Sequence, residues 1–146
     1  MNKNYYKIPF SFKSFFEQKD LKKITLEESI SQYISIIITT AFKEYKHDHN
    51  FGSEIWENDF DLLTNINKLK EKIKLSLTEK IKTFETRLNN IHVNVTIGES
   101  LLSDKTEKTR LKKQLKIDIK GIVKKTNEPY FFTGMYYIAP LSSYKY

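Results

Sequence analysis

The sequence predicts an α+β fold in which two main helices pack on a small, mainly antiparallel C-terminal sheet of about three strands, preceded by an extended N-terminal arm. Apolar residues recur at helical spacing in two stretches before residue 91, whereas between residues 91 and 138 they alternate with polar ones. The 4 glycines and 3 prolines are too few for a many-turned β-sandwich. At 146 residues, the chain is expected to form a single domain, residues 1–146.

The first segment, residues 1–23, is predicted to be the extended arm. Aromatic residues alternate there with Lys and Ser, and Pro9 disfavours a helix. The alternation of Ile8, Phe10 and Phe12 suits an extended segment that docks on the core or on a partner.

The first main helix is predicted over residues 25–47. Thr25 followed by Glu28 is the pattern of a capping box, which marks a helix start. An apolar stripe at helical spacing follows, formed by Ile30, Tyr33, Ile34, Ile37, Ile38, Ala41, Phe42 and Tyr45. Beyond the helix, Phe51-Gly52-Ser53 indicates a loop in which Gly52 is free to take a positive φ.

The second main helix is predicted over residues 62–88, and apolar anchors such as Ile55 and Trp56 are expected to hold the segment before it. Its lysines are expected to face water. Its buried face is predicted to carry Leu62, Ile66, Leu69, Ile73, Leu77, Ile81, Phe84 and Leu88.

The sheet is predicted over residues 91–138. A first strand runs from Ile91 until Gly98 ends it, and residues 99–110 form a loop. A second strand follows, in which Ile122 and Val123 break the alternation as a bulge would. After a turn at 126–129, Tyr130 to Ile138 returns as the partner strand.

Composition excludes several kinds of site. There is no cysteine, so disulfides and cysteine-based metal or catalytic sites are ruled out. The net charge is +7, but the lysines are interspersed with acids, which favours a solvated surface over a nucleic-acid-binding face. No signal-peptide core and no run of roughly 18 apolar residues is found, so a cytoplasmic protein that is not membrane-embedded is expected.

Motifs for catalysis and for cofactors are missing from the sequence as well. It contains no phosphate-binding loop, dinucleotide-binding fingerprint, nucleophile elbow or zinc-protease motif, so no cofactor and no small-molecule substrate is expected. His47, Asp48 and His49 could ligate a metal, but such close neighbours fix no coordination geometry, and no metal site is predicted. Glu85 has no second acid placed to act with it, so no catalytic residue is predicted.

The stretch Glu85-Thr86-Arg87 lies where the second helix gives way to a strand. An arginine there can hold a carboxylate or backbone carbonyls through its planar fork. The alternative is a local ion pair on the surface, worth at most about 1 kcal/mol.

Several segments, in order, resemble the GPW/gene-product-25 family of baseplate wedge proteins, and most of all TssE, the form found in type VI secretion systems. Two segments depart from the family: Thr86 stands where the family has Pro, and residues 43–47 only loosely follow the Gly-Glu-Arg sequence that ends the pattern of the family's first helix. The matching segments are Tyr6 and Pro9, Ser29-Ile30, Ile37-Ile38-Thr39-Thr40, Phe51-Gly52-Ser53, Ile73, Leu77 and Ile81, Glu85-Thr86-Arg87-Leu88, and residues 91–95.

The resemblance implies a structural subunit of a contractile injection machine, cytoplasmic and at a membrane-docked baseplate. It implies that Glu85, Thr86 and Arg87 bind the wedge subunits, of the TssF, TssG and TssK type. The protein would then link the wedge to a contractile sheath of the TssB and TssC type.

An edge of the predicted sheet is expected to contact the sheath, because strand addition supplies backbone hydrogen bonds with little demand on side chains. The candidates on the last strand are Phe131, Thr133, Met135 and Tyr137. The alternative is that this strand is buried under the N-terminal arm. Two other functions stay open: a small regulatory binding protein resembling a stress anti-adaptor, and a lysozyme-like hydrolase.

Overall fold

The computed structural model describes residues 3–17, 19–56, 65–103 and 109–138, with only the backbone of 99–103 and 109–112. A single-turn 3₁₀ helix spans Glu54–Trp56. The helices are α1 (Phe12–Phe16), α2 (Leu26–Thr39) and α3 (Ile66–Phe84), and the strands are β1 (Tyr5–Tyr6), β2 (Lys23–Ile24), β3 (Leu88–Ser103), β4 (Thr109–Val123) and β5 (Pro129–Ile138).

The predicted α+β class is confirmed. Strands β3, β4 and β5 form a three-stranded antiparallel sheet in that order, and β1 and β2 form a separate antiparallel pair. The core lies between this sheet and the helices, where Ile34, Leu77 and Ile117 are completely buried. None of the helices in the described part of the chain is both long enough and apolar enough to cross a membrane.

Helix α2 begins as predicted but ends well before residue 47. The Thr25 hydroxyl accepts from the Glu28 N–H at 3.3 Å, and the Glu28 carboxylate accepts from the Thr25 N–H at 2.8 Å. The helix ends at Thr39 because the next residues pair with a distant loop instead of continuing the helical ladder. The Ser53 N–H donates to the carbonyl oxygen of Thr40 at 2.8 Å, and the Phe42 N–H donates to that of Ser53 at 3.1 Å.

Gly52 makes this pairing possible. It has a φ of +101°, and a Cβ there would lie 2.7 Å from the carbonyl oxygen of Ala41 and 2.8 Å from that of Thr40. Only a residue without a side chain can bring the loop backbone this close to the end of α2. The positive φ expected from the sequence is present.

Helix α3 begins at Ile66, where the Asn65 side chain accepts from the Asn67 N–H at 2.9 Å. Its buried residues Ile73, Leu77 and Ile81 are among those that the apolar period predicts, whereas Ile66, also predicted on the buried face, is 47% exposed. The helix ends at Phe84, before the predicted 88. Residues 57–64, including the predicted Leu62, lie outside the described residues.

The sheet is more extensive than predicted. Strand β3 passes through Gly98 and pairs with β4 as far as Ser103 opposite Thr109, so much of the predicted loop 99–110 is strand. Alternation of apolar and polar side chains marks only the part of a strand that packs on the core. The backbone hydrogen bonds between the two strands continue past that part.

The prediction of a bulge at Ile122 and Val123 was wrong. In β4, Leu115, Ile117, Ile119 and Val123 all stay on the buried face. The extra residue lies in β3 instead, where the register shifts between Asn89 and His92. Asn90 there has a φ of +50°, which asparagine tolerates better than most residues.

The N-terminal arm is extended only in part, because α1 forms over Phe12–Phe16. Pro9 precedes this helix and so removes none of its hydrogen bonds. The Ser11 hydroxyl caps it by accepting from the Ser14 N–H at 3.3 Å. The arm is attached to the body through the Ile8 N–H, which donates to the Gln32 side chain of α2 at 3.0 Å.

Candidate docking site

The predicted docking stretch lies at the C-terminal end of α3. Glu85 is the C-cap, and its N–H donates to the Ile81 carbonyl oxygen at 2.9 Å. Its carboxylate turns inward and only 1% of the side chain is exposed. An ionised carboxylate at this depth requires a partner, since burying an isolated charge is very unfavourable.

Arg87 is that partner. Its Nε donates to Glu85 Oε1 at 2.7 Å and its Nη2 to Oε2 at 2.5 Å, so the two planar groups meet as a fork. The Arg87 N–H also donates to Oε1, at 3.1 Å. The local ion pair weighed from the sequence is therefore present, but its carboxylate is buried and its guanidinium only partly exposed, so it does not lie wholly on the surface.

The same arginine reaches across to α2. Its Nη1 donates to the Ser29 hydroxyl at 3.0 Å, and its guanidinium carbon lies 6.0 Å from the centre of the Tyr33 ring. The hydrogen bond with Glu85 raises the pKa of Arg87. We call Ser29, Glu85 and Arg87 the clamp, because they join α2, the end of α3 and the start of β3. The contact with α2 was missed by sequence reasoning.

Thr86 lies between the two clamp residues and is exposed. On either side of it the backbone is held, because the Leu88 N–H donates to the Glu85 carbonyl oxygen at 3.4 Å and the Lys124 N–H to that of Arg87 at 2.9 Å. The stretch is thus fixed by hydrogen bonds on its neighbours. Thr86 is presented at the surface between two anchored residues.

Replacing Thr86 with Pro is expected to stabilise the protein by about 0.4–1 kcal/mol, by restricting the unfolded chain. In the described part of the chain the Thr86 N–H donates no backbone hydrogen bond. Glu85 already has φ −96° and ψ 78°, outside the helical region that a following proline disfavours. Urea unfolding measures the change, with Thr86→Ala as the control for loss of the hydroxyl. A less stable Pro variant would show that the turn needs another φ.

An aromatic groove adjoins the clamp. The Phe51 ring centre lies 5.1 Å from that of Phe84, 5.6 Å from that of Tyr45 and 6.2 Å from that of Tyr33. Burial raises the pKa of Tyr33. The sequence predicted Phe51 in a loop and Phe84 on a helix, but nothing in it indicated that they meet. The groove has a volume of about 410 Å³ and is lined by Tyr33, Ile36, Thr40, Tyr45, Asp48, Phe51 and Phe84.

Three of the four sheath candidates share one exposed face of β5. Phe131 is 66% and Met135 55% exposed, and Thr133 between them donates to Asp118 Oδ1 at 2.8 Å. Tyr137 is only 9% exposed and does not belong to this surface.

The opposite face of β5 turns toward α2. There Tyr130 shares a hydrogen bond of 2.8 Å with the Ser31 hydroxyl, and burial raises the pKa of Tyr130 to about 12. Ile8 and Pro9 of the arm line a groove beside this strand. The arm therefore lies near β5 but leaves Phe131 and Met135 uncovered.

The histidines after α2 lie in an open loop. His47 packs edge-on against Tyr45 with ring centres 5.4 Å apart, and the Asp48 carboxylate accepts from the Asn50 N–H at 2.9 Å. Among the residues that the structure describes, no three His, Asp or Glu side chains are grouped closely enough to hold a metal ion.

Comparison with known proteins agrees with this fold. A solved structure from Geobacter sulfurreducens, named as a tail lysozyme, matches with a TM-score of 0.55 and 24% identity, covering 80% of this chain and 94% of that chain. At this identity the likeness concerns the fold alone. No curated protein matches. The family model of baseplate wedge protein gp25 matches residues 24–128, which include α2, α3 and the clamp, and the chain therefore belongs to the GPW/gp25 family of baseplate wedge proteins.

Proposed function

We propose that this protein is a non-catalytic baseplate subunit of a contractile injection machine of the type VI secretion kind, which links wedge subunits to the sheath. It works in the cytoplasm, at a baseplate docked on a membrane. The family match supports the baseplate role. The clamp is the observation that supports a docking site here, because it holds Thr86 and part of Arg87 at the surface beside the aromatic groove.

Within this site the residues have different roles. Glu85 is buried and both its oxygens are engaged, so it positions Arg87 and does not touch the wedge. Thr86, the exposed part of Arg87 and the aromatic groove make the contact with the wedge subunits. Aromatic residues and arginine are the side chains most enriched at the centres of protein interfaces.

The contact with the sheath is made by β5. This strand is an edge of the sheet, so its outer backbone groups can pair with an added strand. Phe131, Thr133 and Met135 provide an exposed side-chain surface next to that edge. Tyr137 is only 9% exposed and is left out of this surface.

Thr86→Arg is expected to reduce recovery of the wedge subunits at least about tenfold in co-purification, because a bulky charge at the anchored position blocks close approach. The side chain is exposed, so folding should be unaffected. The matched control is Thr126→Arg, at an exposed threonine in the turn between β4 and β5, which should leave recovery unchanged. Equal recovery with both variants would remove Thr86 from the interface.

A muramidase activity is the second candidate, since the solved structure of similar fold is named as a tail lysozyme. Hydrolysis by such enzymes uses two carboxyl groups flanking the bond that is cleaved. Glu85 is held by Arg87 and is 1% exposed, so it cannot reach a polysaccharide. We expect no turnover of peptidoglycan, and activity that disappears in Glu85→Gln would overturn the non-catalytic role.

A further inference from the structure

The N-terminal arm (residues 3–23) precedes residues 24–128, the segment that the family model matches, so that match assigns the arm no role. Large apolar side chains are concentrated there and remain exposed to water, which is unfavourable unless they contact something else. Phe12, Phe15 and Phe16 of α1 are 72%, 66% and 81% exposed. Closer to the body, Tyr6, Ile8 and Phe10 are 49%, 50% and 48% exposed.

The arm is held in a defined shape. Strands β1 and β2 pair side by side, with Tyr5 opposite Ile24, and the Lys7 N–H donates to the Lys22 carbonyl oxygen at 2.9 Å. Ile24 is buried in the body, which anchors the returning strand. Helix α1 lies between the two strands in sequence, and none of its residues is buried. The exposed apolar residues of α1 thus form the tip of the arm, and the paired strands β1 and β2 anchor it to the body.

The charge of the arm is strongly positive. It contains six lysines against two acids, a net charge of +4. Glu17 is already engaged, since Lys19 lies 2.7 Å and Lys13 3.9 Å from its carboxylate. Basic residues around an apolar surface favour a partner that carries negative charge around an apolar groove.

We propose that the arm is a docking element whose aromatic tip inserts into an apolar groove on an acidic surface of another protein. A lipid surface is the less suitable partner, because the exposed apolar side chains run along the arm from Tyr6 to Phe16 and are not confined to one face of a long amphipathic helix. The five residues of α1 are far fewer than such helices use. This contact is separate from the clamp and does not depend on it.

The test places the photo-crosslinking residue benzoylphenylalanine at Phe16 of the full chain in the native cell, and at Leu75 as control. Leu75 is also an exposed apolar residue, at 68%, but it lies on α3. We expect a crosslinked protein with an acidic surface from position 16 only. With that partner purified, Phe15→Ser/Phe16→Ser should weaken binding at least about tenfold. Lys13→Glu/Lys19→Glu should weaken it too, and should reduce its dependence on salt.

Other outcomes would overturn the proposal. These are equal crosslinking from both positions, a captured partner whose binding survives Phe15→Ser/Phe16→Ser, and crosslinking only to a second copy of this chain. Binding of the intact protein to phosphatidylglycerol vesicles that is lost in the Phe15→Ser/Phe16→Ser variant would assign the arm to a membrane instead. All four substituted side chains are exposed, and unchanged melting curves verify that the variants fold.

Discussion

Replacing Arg87 with Ala is expected to lower the free energy of unfolding by about 3 kcal/mol, because the buried carboxylate of Glu85 then loses its partner. Arg87 donates three hydrogen bonds to that carboxylate, and of these three the substitution leaves only the one from the backbone N–H. The figure lies at the low end for a buried pair because 31% of the Arg87 side chain is exposed. The substitution is therefore expected to affect folding as well as the proposed wedge contact, which is why Thr86 is the better test of that contact.

Urea unfolding of Arg87→Ala is compared with that of the double variant Glu85→Leu/Arg87→Met. The comparison separates the cost of an unpaired buried charge from the cost of losing the packing of the side chain. The double variant removes both charges and keeps apolar volume, so it should lose less stability than the single one. Ser29→Ala, which removes only the neutral partner of the guanidinium, should cost about 1 kcal/mol. A loss below about 1 kcal/mol for Arg87→Ala would mean that the pair contributes no more than a surface pair does.

Replacing Gly52 with Ala is expected to cost about 3 kcal/mol or more, from backbone strain and overpacking together. An alanine would have to keep a φ of +101° while its Cβ lay within 2.8 Å of two backbone carbonyl oxygens. Backbone atoms at the end of α2 cannot move away as a flexible side chain can. The loop would therefore separate from residues 40–42, and the pairing with Ser53 would be lost.

Gly98→Ala is the matched control, since a Cβ at this strand position meets nothing within 4 Å. It should leave stability unchanged or raise it by roughly 0.5–1 kcal/mol, as Ala suits a strand better than Gly. Melting temperatures of the two variants, measured together, give the comparison. Similar melting temperatures for Gly52→Ala and Gly98→Ala would show that the loop accommodates the added methyl group and keeps the Ser53 pairing.

Much of the fold was predictable, because side chains that face a core must recur with the period of their element. The start of α2 was found from Thr25 and Glu28, and the buried residues of α3 from their spacing. The end of α2 was not, since it depends on a hydrogen bond between Thr40 and Ser53, which are far apart in sequence. Helix α1 was missed because Pro9 was taken to exclude a helix throughout the arm.

For the candidate site, the sequence located the residues but not their burial. Glu85 and Arg87 are two positions apart, so an ion pair was foreseeable, whereas the contact with Ser29 requires α2 to be packed beside them. The aromatic groove depends on the same packing. On β5, alternation grouped Phe131, Thr133, Met135 and Tyr137, but burial at the end of the strand removes Tyr137 from the group. Whether these residues contact a wedge or a sheath stays a prediction.

The β3–β4 hairpin is much longer than the helix that packs against it. At about 3.4 Å per residue, the 16 residues of β3 extend up to about 54 Å. Helix α3 packs against β3, but its 19 residues at about 1.5 Å each span only about 29 Å. Even if the two lay fully parallel, roughly 25 Å of the hairpin would project past the helix. The distal part of the hairpin therefore extends beyond the stretch of the sheet that α3 can cover.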